Sequence, residues 1–192
     1  MKNINPIIKE FTKLNLISKK DLRKVGFANR GIKVKVLRDI KSNIYLLEKN
    51  KIPKNYYSND RKMNYVELKK YLKATLVDDK RRYNQFKNLF NKKTIIDFGC
   101  EFGGFLQLVK NSKKKFGVEI NENCRNYIKN IHKNIQVFRS IDEIETKVDV
   151  ITLFHVLEHL PYQVDYLRKM KNKLRKKGKL IIEIPSANDI LL

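Results

Sequence analysis

The sequence predicts an α/β fold built on a buried parallel sheet, and three observations predict it. From residue 94 onward, short apolar runs alternate with amphipathic stretches. Strands are expected at Thr94–Phe98, Lys115–Glu119, Ile135–Phe138, Val148–Phe154 and Lys179–Ile184, with helices near Gly104–Lys110, Asn121–Asn130 and Gln163–Leu174. Second, the strands are apolar throughout rather than alternating, as strands covered on both faces are. Third, the first strand runs into a turn carrying Gly99, Gly103 and Gly104, and the second ends at Glu119. A flexible turn and a carboxylate therefore meet at the carboxyl edge, where open parallel sheets bind ligands.

The preceding segments are read less directly. A short helix is expected around Ile7–Leu16, and Ile32–Leu37 with Ile44–Leu47 read as a two-stranded hairpin across the polar Arg38–Asn43. Tyr56–Asp60 is a polar-aromatic connector. From Tyr65 a helical period runs through Leu68, Leu72, Leu76, Tyr83, Phe86 and Phe90, with a break expected at Val77–Asp79. Three parts follow: a basic extension with hairpin over 1–62, a helical lead-in over 63–93, and a ligand-binding domain over 94–192.

A chain of 192 residues with 42% hydrophobic side chains fills one main core and a small appendage. No apolar run approaches the roughly 18 residues of a membrane span, and the first residues lack the pattern of a secretory signal. Cys100 and Cys124 have no CxxC spacing and suggest neither a disulfide nor structural zinc. A cytoplasmic location is the expectation.

The formal charge is +23, and lysine (33), isoleucine (21) and asparagine (20) dominate while alanine occurs three times. A general compositional skew accounts for most of that charge. It is uneven all the same: residues 1–93 carry 26 basic and 8 acidic side chains, residues 94–192 carry 17 and 12. The front half lacks a recognisable nucleic-acid module, so a nucleic-acid partner is not expected; a small, anionic substrate suits this charge better.

The segments Asp97-Phe98-Gly99-Cys100-Glu101-Phe102-Gly103-Gly104-Phe105, Gly117-Val118-Glu119 and Phe154-His155-Val156-Leu157-Glu158-His159-Leu160 resemble the DxGCGxGxF, GVE and FHVLEHL motifs of class I S-adenosylmethionine-dependent methyltransferases. The likeness covers roughly residues 78–192 and points to the bacterial branch that modifies small molecules and nucleotide sugars. It implies a Rossmann-like sheet with strand order 3-2-1-4-5-7-6, of which this sequence offers the first five. It also implies S-adenosyl-L-methionine as cofactor. Asp97, Gly99, Cys100 and Gly103 would then surround its methionine part, Glu119 and Ile120 its ribose, and Ser140 and Ile141 its adenine. Phe154 and His155 would line the same cleft. Two departures stand out: Glu101 replaces the usual second glycine, and Ser140 stands where an aspartate is common.

On the acceptor side, His159 is the first choice for a base, because an imidazole titrates near neutral pH. Glu158, Tyr162 and Ser186 are the candidate acceptor contacts. His155-x-x-Glu158-His159 also matches an inverted zinc-peptidase pattern, but His155 falls at a strand end rather than on a long helix, so no metal is expected. A dinucleotide oxidoreductase is disfavoured by Gly99-x-x-x-Gly103 in place of GxGxxG. The reading is a methyltransferase acting on a sugar, nucleotide sugar or polysaccharide precursor. The alternatives are an RNA or ribosome methyltransferase and a noncatalytic, truncated relative.

Overall fold

The computed structural model describes residues 5–29, 33–49 and 63–185. The Tyr56–Asp60 connector and Ser186 lie outside them. Contacts divide the chain into two compact units, one of Met1–Pro53, His159–Tyr166 and Pro185–Leu192, the other of Lys54–Glu158 and Leu167–Ile184.

In the first unit, helix α1 (Pro6–Lys13) begins with a proline whose missing N–H costs nothing at that position, and Asn5 caps it by accepting from the Ile7 amide. Three antiparallel strands follow, β1 (Leu22–Asn29), β2 (Lys33–Asp39) and β3 (Tyr45–Leu47). The expected two-stranded hairpin is therefore corrected to a three-stranded sheet. Strand β1 is hard to see in the sequence because Arg23-Lys24 and the bulge between Lys24 and Gly26 interrupt its alternation. Ile7, Ile8, Ile17 and Leu46 form the small core, with Phe11, Leu22, Leu37 and Ile44 packed against it. Asp39 is buried and accepts from the amides of Ser18, Lys41 and Ser42. The Ser42 amide chiefly holds its carboxyl below the ordinary range.

The second unit is the predicted parallel sheet. Helix α2 (Tyr65–Phe86) starts with a reciprocal cap, in which Asn64 accepts from the Glu67 amide and Glu67 accepts from that of Asn64. It runs unbroken through Val77–Asp79, correcting the expected interruption; Asp78 and Asp79 lower helix propensity only slightly against the packing of Tyr83 and Phe86 on the core. Then come β4 (Thr94–Phe98), α3 (Gly104–Leu108), β5 (Lys114–Val118), α4 (Glu122–Ile131), β6 (Gln136–Phe138), β7 (Val148–Phe154), α5 (Gln163–Lys173) and β8 (Leu174–Glu183). All five parallel strands stand within one residue of expectation except at the start of β8, which pairs Leu174 with Val148 and then slips to pair Lys179 with Val150.

The order is β6-β5-β4-β7-β8, so β4 lies centrally and all five of its residues are buried. Ile95, Phe105, Leu106, Ile128, Val150 and Ile181 make up much of the core beside it. The direction of winding reverses between β4 and β7. At such a reversal the loops after neighbouring strands diverge and open a crevice at the carboxyl edge.

Candidate functional site

That crevice is built from the turn after β4. Gly99, Glu101 and Gly103 all adopt positive φ, of 79°, 45° and 77°. The amides of Gly99 and Cys100 both donate to the Val118 carbonyl, at 2.7 and 3.2 Å, and tie the turn to the end of β5. Phe102 anchors it from below, edge-on to Tyr71 and Tyr127 with centroids 5.9 and 5.4 Å away. A Cβ at Gly99 would stand 2.4 Å from Val156 Cγ2. Gly99→Ala therefore combines a left-handed backbone costing about 1–2 kcal/mol with overpacking of about 1–3 kcal/mol. Urea unfolding should show a loss of about 3 kcal/mol, the sum of those two costs, and a variant as stable as the parent would refute the geometry.

Glu119 is 7% exposed and bridges two turns. One carboxylate oxygen accepts from the Glu101 amide at 2.9 Å, the other from the Asn121 amide at 2.7 Å. Burial raises its carboxyl above the usual range, opposed by those amides. The Ile120 amide also bonds this carboxylate, so a ligand hydroxyl would share its oxygens with three amides. Asn121 in turn caps α4 by accepting from the Cys124 amide.

Asp97, at the end of β4, is 4% exposed. Its partner is not a turn amide but Thr152 on β7, whose hydroxyl donates at 2.7 Å. Burial pushes its carboxyl up to about 7, with Thr152 working against the rise and Asp79 adding to it. Asp79 comes from α2, its Oδ2 2.5 Å from where a Gly104 Cβ would stand, and burial raises its own carboxyl to about 6 against the pull of Arg82. Two buried carboxyls, both raised above the ordinary carboxylate range, thus flank the turn. Such an arrangement suits a cationic group of a ligand, which would hold them ionised.

Glu101, the residue most at odds with the motif, turns its carboxylate to the Tyr71 hydroxyl at 2.5 Å. Its φ of 45° explains the glycine that the resemblance puts there: the backbone is left-handed, and only the side chain's outward course lets glutamate serve.

A second cluster lies where β7 and β8 end. Arg82 donates to Glu183 at 2.7 and 2.9 Å, lies 3.6 Å from Asp79 and stacks its guanidinium 4.9 Å from the Phe154 ring. Arg81 reaches both Glu183 oxygens at 2.9 Å. His155, at φ 55°, places Nε2 3.2 Å from Glu183 and Nδ1 3.6 Å from Glu158.

Of the residues singled out from sequence, Asp97, Gly99, Cys100, Gly103 and Glu119 fall together around the β4 and β5 turns. Cys100 is buried, and its Sγ lies 2.6 Å from where a Cβ on Gly117 would be. Ile120 is exposed and Ile141 is buried. Ser140 caps the short turn over Ile141–Glu143 through a reciprocal bond pair with Glu143. Phe154 packs edge-on to Phe105 at 4.9 Å. His159 closes the turn Leu157–His159, and Tyr162 is half exposed; both belong to the first unit. Sequence reasoning missed Tyr71, Asp79, Arg82 and Glu183. The first three recur along one side of α2 at spacings of eight and three, a polar stripe that the expected break at Asp79 concealed. Among the described residues no cluster of metal-ligating side chains occurs, and no helix is long and apolar enough to cross a membrane.

A five-stranded parallel sheet with a glycine turn after its central strand and a carboxylate ending the next defines an α/β domain of the nucleoside-binding class. The family model described as "Methyltransferase domain" matches residues 68–191, and the chain belongs to that family. Among solved structures it is similar to coclaurine N-methyltransferase bound to N-methylheliamine and SAH, with 21% identity and a TM-score of 0.50 over 67% of this chain and 39% of that one. It is also similar to DesVI of Streptomyces venezuelae, with 9% identity and a TM-score of 0.51 over 65% and 58% of the two chains. The match thus spans less than two thirds of either relative, and at these identities it speaks for the fold. Among curated protein sequences none matches significantly.

Proposed function

We propose that the chain binds S-adenosyl-L-methionine at the carboxyl edge of β4 and β5 and catalyses transfer of its methyl group to a small-molecule acceptor. The observation that carries this is the convergence of Glu119 and Asp97 on one turn. Glu119 presents its amide-braced carboxylate to the ribose hydroxyls, and buried Asp97 suits a cation such as an α-ammonium. The donor set fits the cofactor, since Glu101 is drawn off toward Tyr71 instead of filling the turn. Family membership and relatives whose names record SAH support the same cofactor.

The bound cofactor supplies an electrophilic methyl carbon on a positively charged sulfur. The residues of this chain align an acceptor behind that carbon and take up its proton. His159 is the proposed proton acceptor for a hydroxyl, with Glu158, Tyr162 and Ser186 as acceptor contacts. Ser140 and Ile120 remain proposed neighbours of adenine and ribose, and His155 of the cofactor's reacting end. The acceptor class is a sugar, nucleotide sugar or polysaccharide precursor, in keeping with the basic chain and the motif resemblance. The domain division into 1–62, 63–93 and 94–192 belongs to the same proposal.

Isothermal titration with S-adenosylhomocysteine tests this function, with saturable one-to-one binding in the micromolar range expected. No heat at millimolar ligand would overturn it. The acceptor class is tested by S-adenosylhomocysteine release on mixing with nucleotide sugars, which should exceed the rate without acceptor.

A further inference from the structure

The turn after β4 gathers more negative charge than the second unit balances. Asp79 reaches Gly104 from α2, Asp97 stands near the end of β4, Glu119 follows β5, and Glu101 adds a fourth carboxylate where the motif has glycine. Burial is the main cause of the raised Asp79, Asp97 and Glu119 carboxyls, and the charge of Glu101 adds to the rise at all three. Arg82 opposes it at Asp79 and Asp97. Its guanidinium is shared with Glu183, however, to which it donates at 2.7 and 2.9 Å. The field at the turn is therefore negative.

Glu101 is placed to act through that field rather than by contact. Its amide donates to Glu119 at 2.9 Å, so its backbone belongs to the turn, while its carboxylate lies on the exposed side, 2.5 Å from the Tyr71 hydroxyl. Tyr71 is fixed in its turn, with its ring edge-on to Phe102 at 5.9 Å. A carboxylate tethered there fills no part of the turn, yet a charge felt at Asp79, Asp97 and Glu119 is also felt by a ligand lying among them. At φ 45° glutamate is strained where glycine is not, and three neighbouring acids repel it. Neither effect helps the chain to fold.

We propose that Glu101, tethered by Tyr71, is a specificity-determining residue that makes this site favour the positively charged cofactor over its product, in which sulfur is neutral. The inference rests on the proposed function for its ligand and adds what the departure from glycine does there. The ammonium and carboxylate of the methionine part are common to S-adenosylmethionine and S-adenosylhomocysteine, so the field acts on them alike. Only the charge on sulfur differs. A site biased in this way lets the spent ligand go more readily than a glycine turn would, and takes up the fresh one in its place.

The test is isothermal titration of the full chain with S-adenosylhomocysteine and with sinefungin, which carries an ammonium group in place of the methylsulfonium, at about 20 and about 500 mM KCl. The quantity read is the ratio of the two affinities. Glu101→Gln keeps the shape and an oxygen for Tyr71 but removes the charge, so the preference for sinefungin should fall about fivefold at low salt and less than about twofold at high salt. Glu101→Gly, which also relieves the strained backbone, should match it, and Glu101→Asp should keep the parental ratio. Tyr71→Phe leaves the charge but removes its tether, and both ligands should weaken. Circular dichroism checks that each variant folds. An unchanged ratio in Glu101→Gln would overturn the proposal. So would a fall that high salt does not reduce, because contact rather than field would then be its cause, and parental affinity for both ligands in Tyr71→Phe would overturn the tether. If the parent binds neither ligand, the proposed function fails; if it binds both and the ratio ignores Glu101, that function stands and this inference alone is lost.

Discussion

Glu119→Ala is expected to weaken S-adenosylhomocysteine about a hundredfold in isothermal titration. A hydrogen bond to a charged group contributes about 1.5–3 kcal/mol, and a ribose diol offers two, so losing both costs about 3 kcal/mol, or two decades of affinity. The carboxylate also has a structural task, since it accepts from the Glu101 and Asn121 amides. Alanine therefore leaves two sheltered donors without their partner, and stability should fall by about 1–3 kcal/mol for each that water cannot reach. Two measurements separate the roles. Adenosine, which carries the ribose but no methionine, should lose affinity in the same ratio as S-adenosylhomocysteine. Glu119→Gln keeps one accepting oxygen and should lie between parent and alanine in both affinity and stability. If alanine lowers the melting temperature while the folded protein binds with parental affinity, Glu119 is only a brace between turns and the ribose assignment is wrong.

The same residue shows how far the sequence could be read. Its place at a strand end is visible because β5 finishes in the short run Phe116-Gly117-Val118 followed by one acid, whereas the sheet order is what the resemblance to class I methyltransferases implies. What could not be seen was which atoms the carboxylate bonds. Those are amides of Glu101 and Asn121, eighteen residues back and two ahead, and only the fold brings them together. Glu101 shows the converse. A glutamate in a glycine position looked like an obstacle, since sequence carries no side-chain direction; the obstacle vanishes once Tyr71, thirty residues away on α2, is seen to take its carboxylate. The turn's left-handed residue at 101 was implicit in the motif, but the cost of placing glutamate there and the contact that offsets it were not. Strand β1 stayed hidden for a third reason: its charged residues and bulge break the period on which strand detection rests, while its pairing partner β2 supplies the register that the period lacks.

The second large effect concerns the acid at the end of β4. Asp97→Asn is expected to stabilise the protein at pH 8 and to abolish most of its affinity for S-adenosylhomocysteine. In the folded protein burial lifts the Asp97 carboxyl from 3.8 to about 7. Between those values the native state holds a proton that the unfolded chain has released, so unfolding free energy falls as pH rises from about 4 to about 7 and is level above that. Asp79, raised to about 6, adds to the same slope in the lower part of the window. Asp149 and Glu183, whose carboxyls are held low by Thr94 and by Arg82 and Arg81 against burial, act oppositely and only below about pH 4.5. The rise at Asp97 corresponds to about 4 kcal/mol, at about 1.36 kcal/mol for each tenfold gain in proton affinity. That is an upper bound on what asparagine recovers at pH 8, and a gain of about 2–3 kcal/mol in urea unfolding is the expectation. Asparagine keeps an oxygen for the Thr152 hydroxyl, so the gain should not be lost to a broken bond. Binding reports the other half of the trade. A ligand ammonium beside Asp97 favours its ionised form, so the parent should bind S-adenosylhomocysteine about fivefold more tightly at pH 7 than at pH 6, releasing up to one proton in that range. The release is read as a difference in titration heat between phosphate and imidazole buffers. In Asp97→Asn both the pH dependence and the proton release should disappear. A slope that persists in Asp97→Asn but vanishes in Asp79→Asn would move the cation-binding role to α2, and parental affinity in both variants would remove the ammonium from this turn altogether.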